Sequence, residues 1–212
     1  MKDSISQQLA HWETVYREKA AEAVSWFQRE PAISLSLIHA SGVGHDAPII
    51  DVGGGASVLV DHLLELDFGN VTVLDIASNA LAIAKKRLGP ESRRVRWLVG
   101  DVTQFEADKP YALWHDRAVF HFLTNAAQQQ AYRNVLRKSL SAQAQVVMGT
   151  FALDGPIKCS GLEVLQYDAT RLCAVLGPEF ILEEERRHAH QTPSGATQNF
   201  AWFRLRYVPA AL

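Results

Sequence analysis

The chain has 212 residues, room for one domain of ordinary size and too few for a large two-domain enzyme. Hydrophobic residues make up 48% and charged residues 21%, the composition of a chain that buries a core and folds alone. Lys plus Arg is 21 and Asp plus Glu 23, a formal net charge of −2, so nothing draws the chain generally toward nucleic acid or anionic lipid.

The first eight residues, Met1 to Gln8, hold no apolar signal core, and no stretch approaches the ~20 apolar residues that cross a bilayer, so a cytoplasmic location is expected. Leu9, Trp12 and Tyr16 recur at helical spacing, with Ser4 or Ser6 available as N-cap, which predicts an amphipathic helix over about 5–21. A second helix is expected from Pro31. Val24-Ser25-Trp26-Phe27 forms a loop between the two, and Gly42, Gly44 and Asp46 break the pattern beyond Ala40.

From Pro48 the rhythm changes. Apolar runs at Ile49–Val52, Val71–Leu74, Val95–Val99, Tyr111–Trp114 and Gln145–Phe151 alternate with helical stretches at about 57–66, 78–88, 126–138 and 168–176. That alternation means βαβ units and a parallel sheet covered on both faces. Phe180–Glu184 and Phe200–Tyr207, joined by the turn-rich His190–Gly195, leave no room for a crossover helix and predict an antiparallel hairpin. The expected fold class is α/β: a doubly wound, Rossmann-like, mostly parallel sheet ending in an antiparallel C-terminal hairpin.

The strongest motif is Ile49-Ile-Asp51-Val-Gly53-Gly-Gly55-Ala-Ser57, an apolar strand running into glycines and then a helix. Glycine permits close backbone approach and positive φ, and the helix N-terminus offers free N–H groups. A nicotinamide or flavin fingerprint would carry a third spaced glycine where Val58 stands, and a carboxylate at Asp51 repels a pyrophosphate and suits a cation. Asp75 closes the next strand twenty residues past Gly55, the distance at which an acidic residue takes ribose hydroxyls. Asp101 closes the third, placed to accept from an exocyclic amine while Ile76 and Val102 sandwich a base. Any one of these aspartates alone is as readily a cap or a turn former. Three at successive strand ends, where open α/β sheets bind ligands, make one site, and a sulfonium nucleoside suits it better than a dinucleotide.

On Asp51, Gly53, Gly55, Asp75 and Asp101, the stretch from Trp12 onward resembles the class I S-adenosylmethionine-dependent methyltransferases. The resemblance implies S-adenosylmethionine as cofactor, Asp75 on its ribose, Asp101 on its adenine, and a seven-stranded sheet whose last strand is inserted antiparallel. His11-Trp12-Glu13-x-x-Tyr16 followed by Ser25-Trp26-Phe27 is similar to the opening of a branch containing lysine methyltransferases that act on elongation factors and citrate synthase. That likeness implies an N-terminal cover over the cofactor, so the single domain expected over 1–212 divides into a helical cover at 1–45 and a cofactor-binding sheet core at 46–212. Trp12, Tyr16 and Trp26 are equally able to be core aromatics, but Trp26, in a loop, is expected to cap the cofactor pocket.

Methyl transfer from a sulfonium is an in-line displacement that needs a neutral nucleophile about 3–3.5 Å from the methyl carbon, water excluded, and no covalent intermediate. The fourth strand runs into Trp114-His115-Asp116-Arg117-Ala-Val-Phe120-His121-Phe122, which departs from the D/N-P-P-F/Y pattern of enzymes methylating adenine or glutamine. Asp116 is expected to hold the cofactor's amine or orient an acceptor amine, and His121 or His115 to take a proton, which makes Asp116 and His121 the candidate catalytic pair. The competing readings are a local Asp116–Arg117 ion pair and a packed core histidine at 121.

The loop from Asp154 to Tyr167, carrying Lys158, Cys159 and Tyr167, joins His188, His190 and Gln198 of the hairpin as expected walls of the acceptor pocket. The substrate-facing candidates are His115, Tyr167, His188 and His190. His188 and His190 share a strand face without a third ligand in reach, so no metal is expected. Cys159 and Cys173, in no CxxC pair, are expected as reduced thiols. The expected function is methyl transfer to a nucleophilic N, O or S of a small molecule or metabolite by a monomer, without nucleic-acid or membrane partners. Alternatives are a protein-lysine N-methyltransferase, a small NAD(P)-dependent reductase, disfavoured by Val58 and Asp51, and a non-catalytic module that keeps the cofactor fold.

Overall fold

Isoleucine and valine hold the backbone extended at Ile49–Val52, and this short run, buried along its whole length, becomes strand β1 at the centre of the sheet. The computed structural model describes residues 2–209. Around β1 stand β2 (Val71–Asp75), β3 (Val95–Val99), β4 (Tyr111–Arg117), β5 (Leu140–Phe151), β8 (Phe180–Gln191) and β9 (Thr197–Tyr207). They form one seven-stranded sheet in the order β3-β2-β1-β4-β5-β9-β8, parallel except for β9, which runs antiparallel between β5 and β8. The doubly wound sheet and its terminal hairpin are as expected. A separate ribbon pairs β6 (Lys158–Cys159) with β7 (Leu162–Glu163) across Ser160 and Gly161, inside the segment read as loop.

The helices are α1 (Lys2–Glu18), α2 (Ala32–Ala40), α3 (Leu59–Glu65), α4 (Ser78–Leu88), α5 (Ala126–Ser139) and α6 (Ala169–Leu176). Strand alternation divides the core into two layers. Ile50, Val52, Trp114, Val146 and Met148 face α5 and α6, where Tyr132, Leu136, Leu172 and Leu176 meet them. Ile49, Leu113, Val147 and Trp202 face the other way, against Leu37 and Ile38 of α2 and Leu59 and Leu63 of α3.

Among the boundaries that differ from expectation, three have plain physical reasons. Helix α1 begins at Lys2, so Ser4 and Ser6 lie inside it and neither is its N-cap; the Ser4 side chain falls outside the described residues. Strand β4 continues through His115, Asp116 and Arg117 because polar partners on both faces satisfy those side chains. Strand β8 runs to Gln191 rather than Glu184 and takes in both histidines. As an edge strand it is stabilised by cross-strand pairs, Arg204 and Arg206 with Glu183 and Arg204 with Glu184, instead of apolar alternation.

Candidate active site

The C-terminal ends of β1 to β4 open into a cleft, roofed by α1 and by the loop between α1 and α2. Three consecutive glycines form the turn beneath it, and two of them, Gly53 and Gly54, line it. Gly53 and Gly55 hold positive φ, +65° and +43°. A Cβ on Gly53 would stand 2.0 Å from Val119 Cγ2, one on Gly54 2.4 Å from Asp51 Oδ2, and one on Gly55 2.7 Å from Asp75 Oδ2. Gly53 lines the cleft as its spacing suggested and Gly54 joins it, whereas Gly55, also singled out by spacing, packs against Asp75 and lies outside the lining.

Asp51, Asp75, Ile76, Asp101 and Val102 all line the cleft, as do Gly53 and Trp26. Asp75 Oδ1 accepts from the Ala77 amide at 2.7 Å, while burial pushes the carboxyl up to about 7; the Ala77 bond opposes that rise, and the charges of Asp51 and Glu13 add to it. Asp101 caps the turn after β3, its Oδ1 accepting from Thr103 N at 2.8 Å and its Oδ2 from Thr103 Oγ1 at 2.9 Å. A buried chain fixes Asp51: His115 Nδ1 lies 2.7 Å from Asp51 Oδ1, and His115 Nε2 lies 2.9 Å from Ser34 Oγ on α2. His115, expected to face substrate, touches the cleft but spends both ring nitrogens on this chain.

Alternation along β4 separates the neighbours Asp116 and Arg117. Asp116 is fully buried toward α5, where Tyr132 Oη donates to Oδ2 at 2.5 Å and the amides of Val119 and Phe120 donate to Oδ1. Burial pushes its carboxyl up to about 6 against the pull of those donors. It anchors the turn carrying Val119 and does not line the cleft. Arg117 points the opposite way, into the cleft, and its Nη2 donates to the Trp26 carbonyl; the local ion pair with Asp116 that competed with the functional reading does not form.

Several other candidates also lie outside the cleft lining. His121 is fully buried between Phe122 and Phe151, its Nδ1 accepting from Phe151 N at 3.4 Å, and burial takes it down to about 3, so it stays neutral. Tyr167 is buried against Phe120, with Gln129 Nε2 donating to its hydroxyl at 3.1 Å. His190 Nε2 donates to the Ser25 carbonyl at 2.8 Å, and His188 lies on the same strand face, paired with Phe200 across the hairpin. His190 therefore holds the roof loop rather than facing the cleft. Gln198 and Cys159 do line the cleft.

Sequence spacing does not reveal how the roof is attached. Glu13 Oε1 accepts from the amide and hydroxyl of Ser78, each at 2.7 Å, and Oε2 from Asn79 N at 3.2 Å. A residue of α1 thereby caps α4, whose own N-cap position offers no side chain. Burial pushes the Glu13 carboxyl up, but the Ser78 and Asn79 bonds outweigh it and hold the group below its usual range. Above the cap, Trp12 meets Trp26 edge to face at 5.6 Å and Phe122 at 5.2 Å, and Tyr16 meets Trp26 at 6.3 Å.

Residues 49–139 match the family model described as "Methyltransferase domain". No curated protein matches the chain by sequence. Among solved structures, N-methyltransferase NodS from Bradyrhizobium japonicum, in complex with S-adenosyl-L-homocysteine, is 16% identical with a TM-score of 0.66, covering 97% of each chain. The 1,6-didemethyltoxoflavin-N1-methyltransferase of Burkholderia thailandensis, with bound 1,6-didemethyltoxoflavin and S-adenosylhomocysteine, is 17% identical with a TM-score of 0.69, over 98% of this chain and 87% of that one. A SAM-dependent methyltransferase from Anabaena variabilis is 15% identical with a TM-score of 0.74, over 96% and 95%. At these identities the likeness is one of fold.

Proposed function

We propose that this chain, an enzyme whose residues 49–139 form a methyltransferase domain and whose methyl donor is S-adenosylmethionine, alkylates a nucleophilic nitrogen, oxygen or sulfur of a small molecule. In this reading it works as a cytoplasmic monomer, residues 1–45 covering a core formed by 46–212. The glycine floor leaves the space a cofactor needs. Asp75 takes the ribose hydroxyls, Asp101 the adenine amine with Ile76 and Val102 against the ring, and Asp51 the cationic end of the methionine. Bound there, S-adenosylmethionine supplies an electrophilic methyl group on a sulfonium. His115 keeps Asp51 oriented, and the aromatic roof keeps water from the reacting centre.

The observation that carries the small-molecule reading is the charge on the acceptor side. Beyond the strand-end carboxylates the cleft is walled by Phe122, Phe151 and Phe200, and its cation there is Arg117. A lysine ammonium approaching that wall meets like charge, which favours a small acceptor over the protein-lysine alternative. The Burkholderia neighbour's bound 1,6-didemethyltoxoflavin lends support from the same fold. The test has two parts. Calorimetry is expected to detect S-adenosylhomocysteine binding, and cell extract given methyl-labelled cofactor is expected to carry label in its small-molecule fraction. No binding, or label confined to a protein band, would overturn the reading.

A further inference from the structure

Among the described residues Arg117 forms no ion pair. Its one hydrogen bond among the described residues goes to a neutral carbonyl, that of Trp26, and no carboxylate pairs with it. The charge that acts on it most strongly is Asp51, whose Oδ1 is already engaged by His115 at 2.7 Å. Burial lowers Arg117 only to about 10, so it remains charged at neutral pH. A buried guanidinium beside aromatic walls, with donors to spare, is costly unless something negative comes to it.

A second group stands on the same wall. Gln198 lines the cleft from β9, and its buried Oε1 has no partner. The hairpin register sets Gln198 opposite His190, which lies close enough to Arg117 to feel its charge. His190 and Arg117 donate to the consecutive carbonyls of Ser25 and Trp26, which fixes both side chains against one loop. Arg117 and Gln198 thus present a charged donor and an orphaned acceptor beside Phe151 and Phe200. They come from β4 and β9, whereas Asp75 and Asp101 come from the ends of β2 and β3 on the other side of β1.

Resting on the methyltransferase reading above, we infer that Arg117 and Gln198 select the acceptor: a molecule with an apolar or aromatic body, a carboxylate for the Arg117 fork, and a neighbouring N–H or O–H for Gln198 Oε1. Arginine's planar fork suits a carboxylate better than a point charge would, and the aromatic walls strengthen the pair by excluding water. The donor's own methionine carboxylate has the same chemistry, so the experiment must tell the two sources apart.

The full chain is incubated with small-molecule extract of its source cells and methyl-labelled S-adenosylmethionine, and the product is run on an anion exchanger at neutral pH. A labelled product retained as an anion is expected. Arg117→Gln should bind S-adenosylhomocysteine within about threefold of the parent yet lose roughly thirtyfold or more of label transfer, the scale of losing one side of a buried charged contact. Arg117→Lys keeps charge without the fork and should fall between. Gln198→Glu, nearly isosteric, sets a carboxylate against Arg117 in the acceptor's place and should also lose transfer while keeping cofactor affinity, which guards against a misfolded Arg117 variant. A labelled product that elutes as neutral or cationic overturns the inference. So does a tenfold loss of S-adenosylhomocysteine affinity in Arg117→Gln, which would assign the guanidinium to the donor. Failure of the parent to bind S-adenosylhomocysteine would instead remove the reading on which the inference rests.

Discussion

One imidazole, His115, ties Asp51 on β1 to Ser34 on α2, through contacts of 2.7 and 2.9 Å. All three side chains are buried, so removing the ring takes from Ser34 and from Asp51 Oδ1 the partner that each has in the ring. His115→Leu is expected to cost about 1–3 kcal/mol for each orphaned group. His115→Asn, which can still donate to Asp51, should cost less. Urea unfolding of both variants checks this; a total loss below 1 kcal/mol for His115→Leu would mean that the chain contributes little to holding β1 against α2.

Asp75 gives a pH dependence whose sign follows from its burial. Its carboxyl titrates near 7 in the folded chain against an ordinary 3.8, so between about pH 4 and pH 7 the folded form keeps a proton that the unfolded form has released. Stability contributed by that proton is present at pH 4 and lost as pH rises through 7. Asp75→Asn should therefore melt higher than the parent at pH 8, with the difference closing toward pH 4. The same variant loses a charged acceptor for the ribose hydroxyls and should bind S-adenosylhomocysteine about tenfold to a hundredfold more weakly. A variant that melts no higher than the parent at pH 8 would contradict the assigned burial effect.

The cofactor half of the cleft was legible because its residues are punctuation: an aspartate at or just past the end of each of three strands, with glycines after the first, announces a sheet edge in any register. The acceptor half was not, because it depends on which face a side chain takes. Ending β4 at Trp114 left Asp116 and Arg117 unoriented; carried three residues further, the two-residue period puts Asp116 with Trp114 toward α5 and Arg117 with His115 in the cleft. The polar edge strand β8 hid its length for a related reason, since ion pairs replaced the apolar alternation. Glu13 could not be placed at all, because its partners Ser78 and Asn79 lie 65 and 66 residues away.

Gly53 and Val119 meet so closely that only one of them can carry a side chain at the contact. A Cβ on Gly53 would lie 2.0 Å from Val119 Cγ2, at a backbone φ of +65°. Gly53→Ala is expected to abolish measurable cofactor binding by displacing the turn that Asp116 anchors. Val119→Ala removes the clashing methyl and should restore part of it in the double variant, leaving the ~1–2 kcal/mol of left-handed backbone strain. Calorimetry on the two single variants and the double variant tests the coupling, and strict additivity would argue against the contact.

Glu13 links the roof to the site by capping α4. Glu13→Ala removes acceptors for Ser78 and Asn79 and should cost roughly 0.5–2 kcal/mol of stability, the usual value of a helix cap. The effect on cofactor affinity should exceed that of a surface cap elsewhere, since α1 carries Trp12 and Tyr16 into the cleft. Asp168→Ala, which removes the cap of α6 away from the cleft, is the control. Equal effects of the two substitutions on S-adenosylhomocysteine binding would show that the Glu13 tether does not govern the site.

Trp26 tests whether the roof binds or merely packs. Its ring is half-buried, set edge to face against Trp12 and near Tyr16, while its backbone is held independently: its own carbonyl accepts from Arg117 and that of Ser25 from His190. Both backbone bonds survive Trp26→Ala, so the loop should keep its course and only the ring be lost. Losing ~1–3 kcal/mol of apolar burial against a ligand raises its dissociation constant roughly tenfold to a hundredfold. A core tryptophan would instead leave a cavity costing ~3–5 kcal/mol of stability, enough to threaten a marginally stable chain. Affinity and unfolding free energy measured on one preparation separate the two, and a large stability loss with unchanged affinity per folded molecule would place Trp26 in the core. The cofactor effect is expected to dominate, because the partners of the ring, Trp12 and Tyr16, line the same cleft and the ring is only partly buried where it packs on the core.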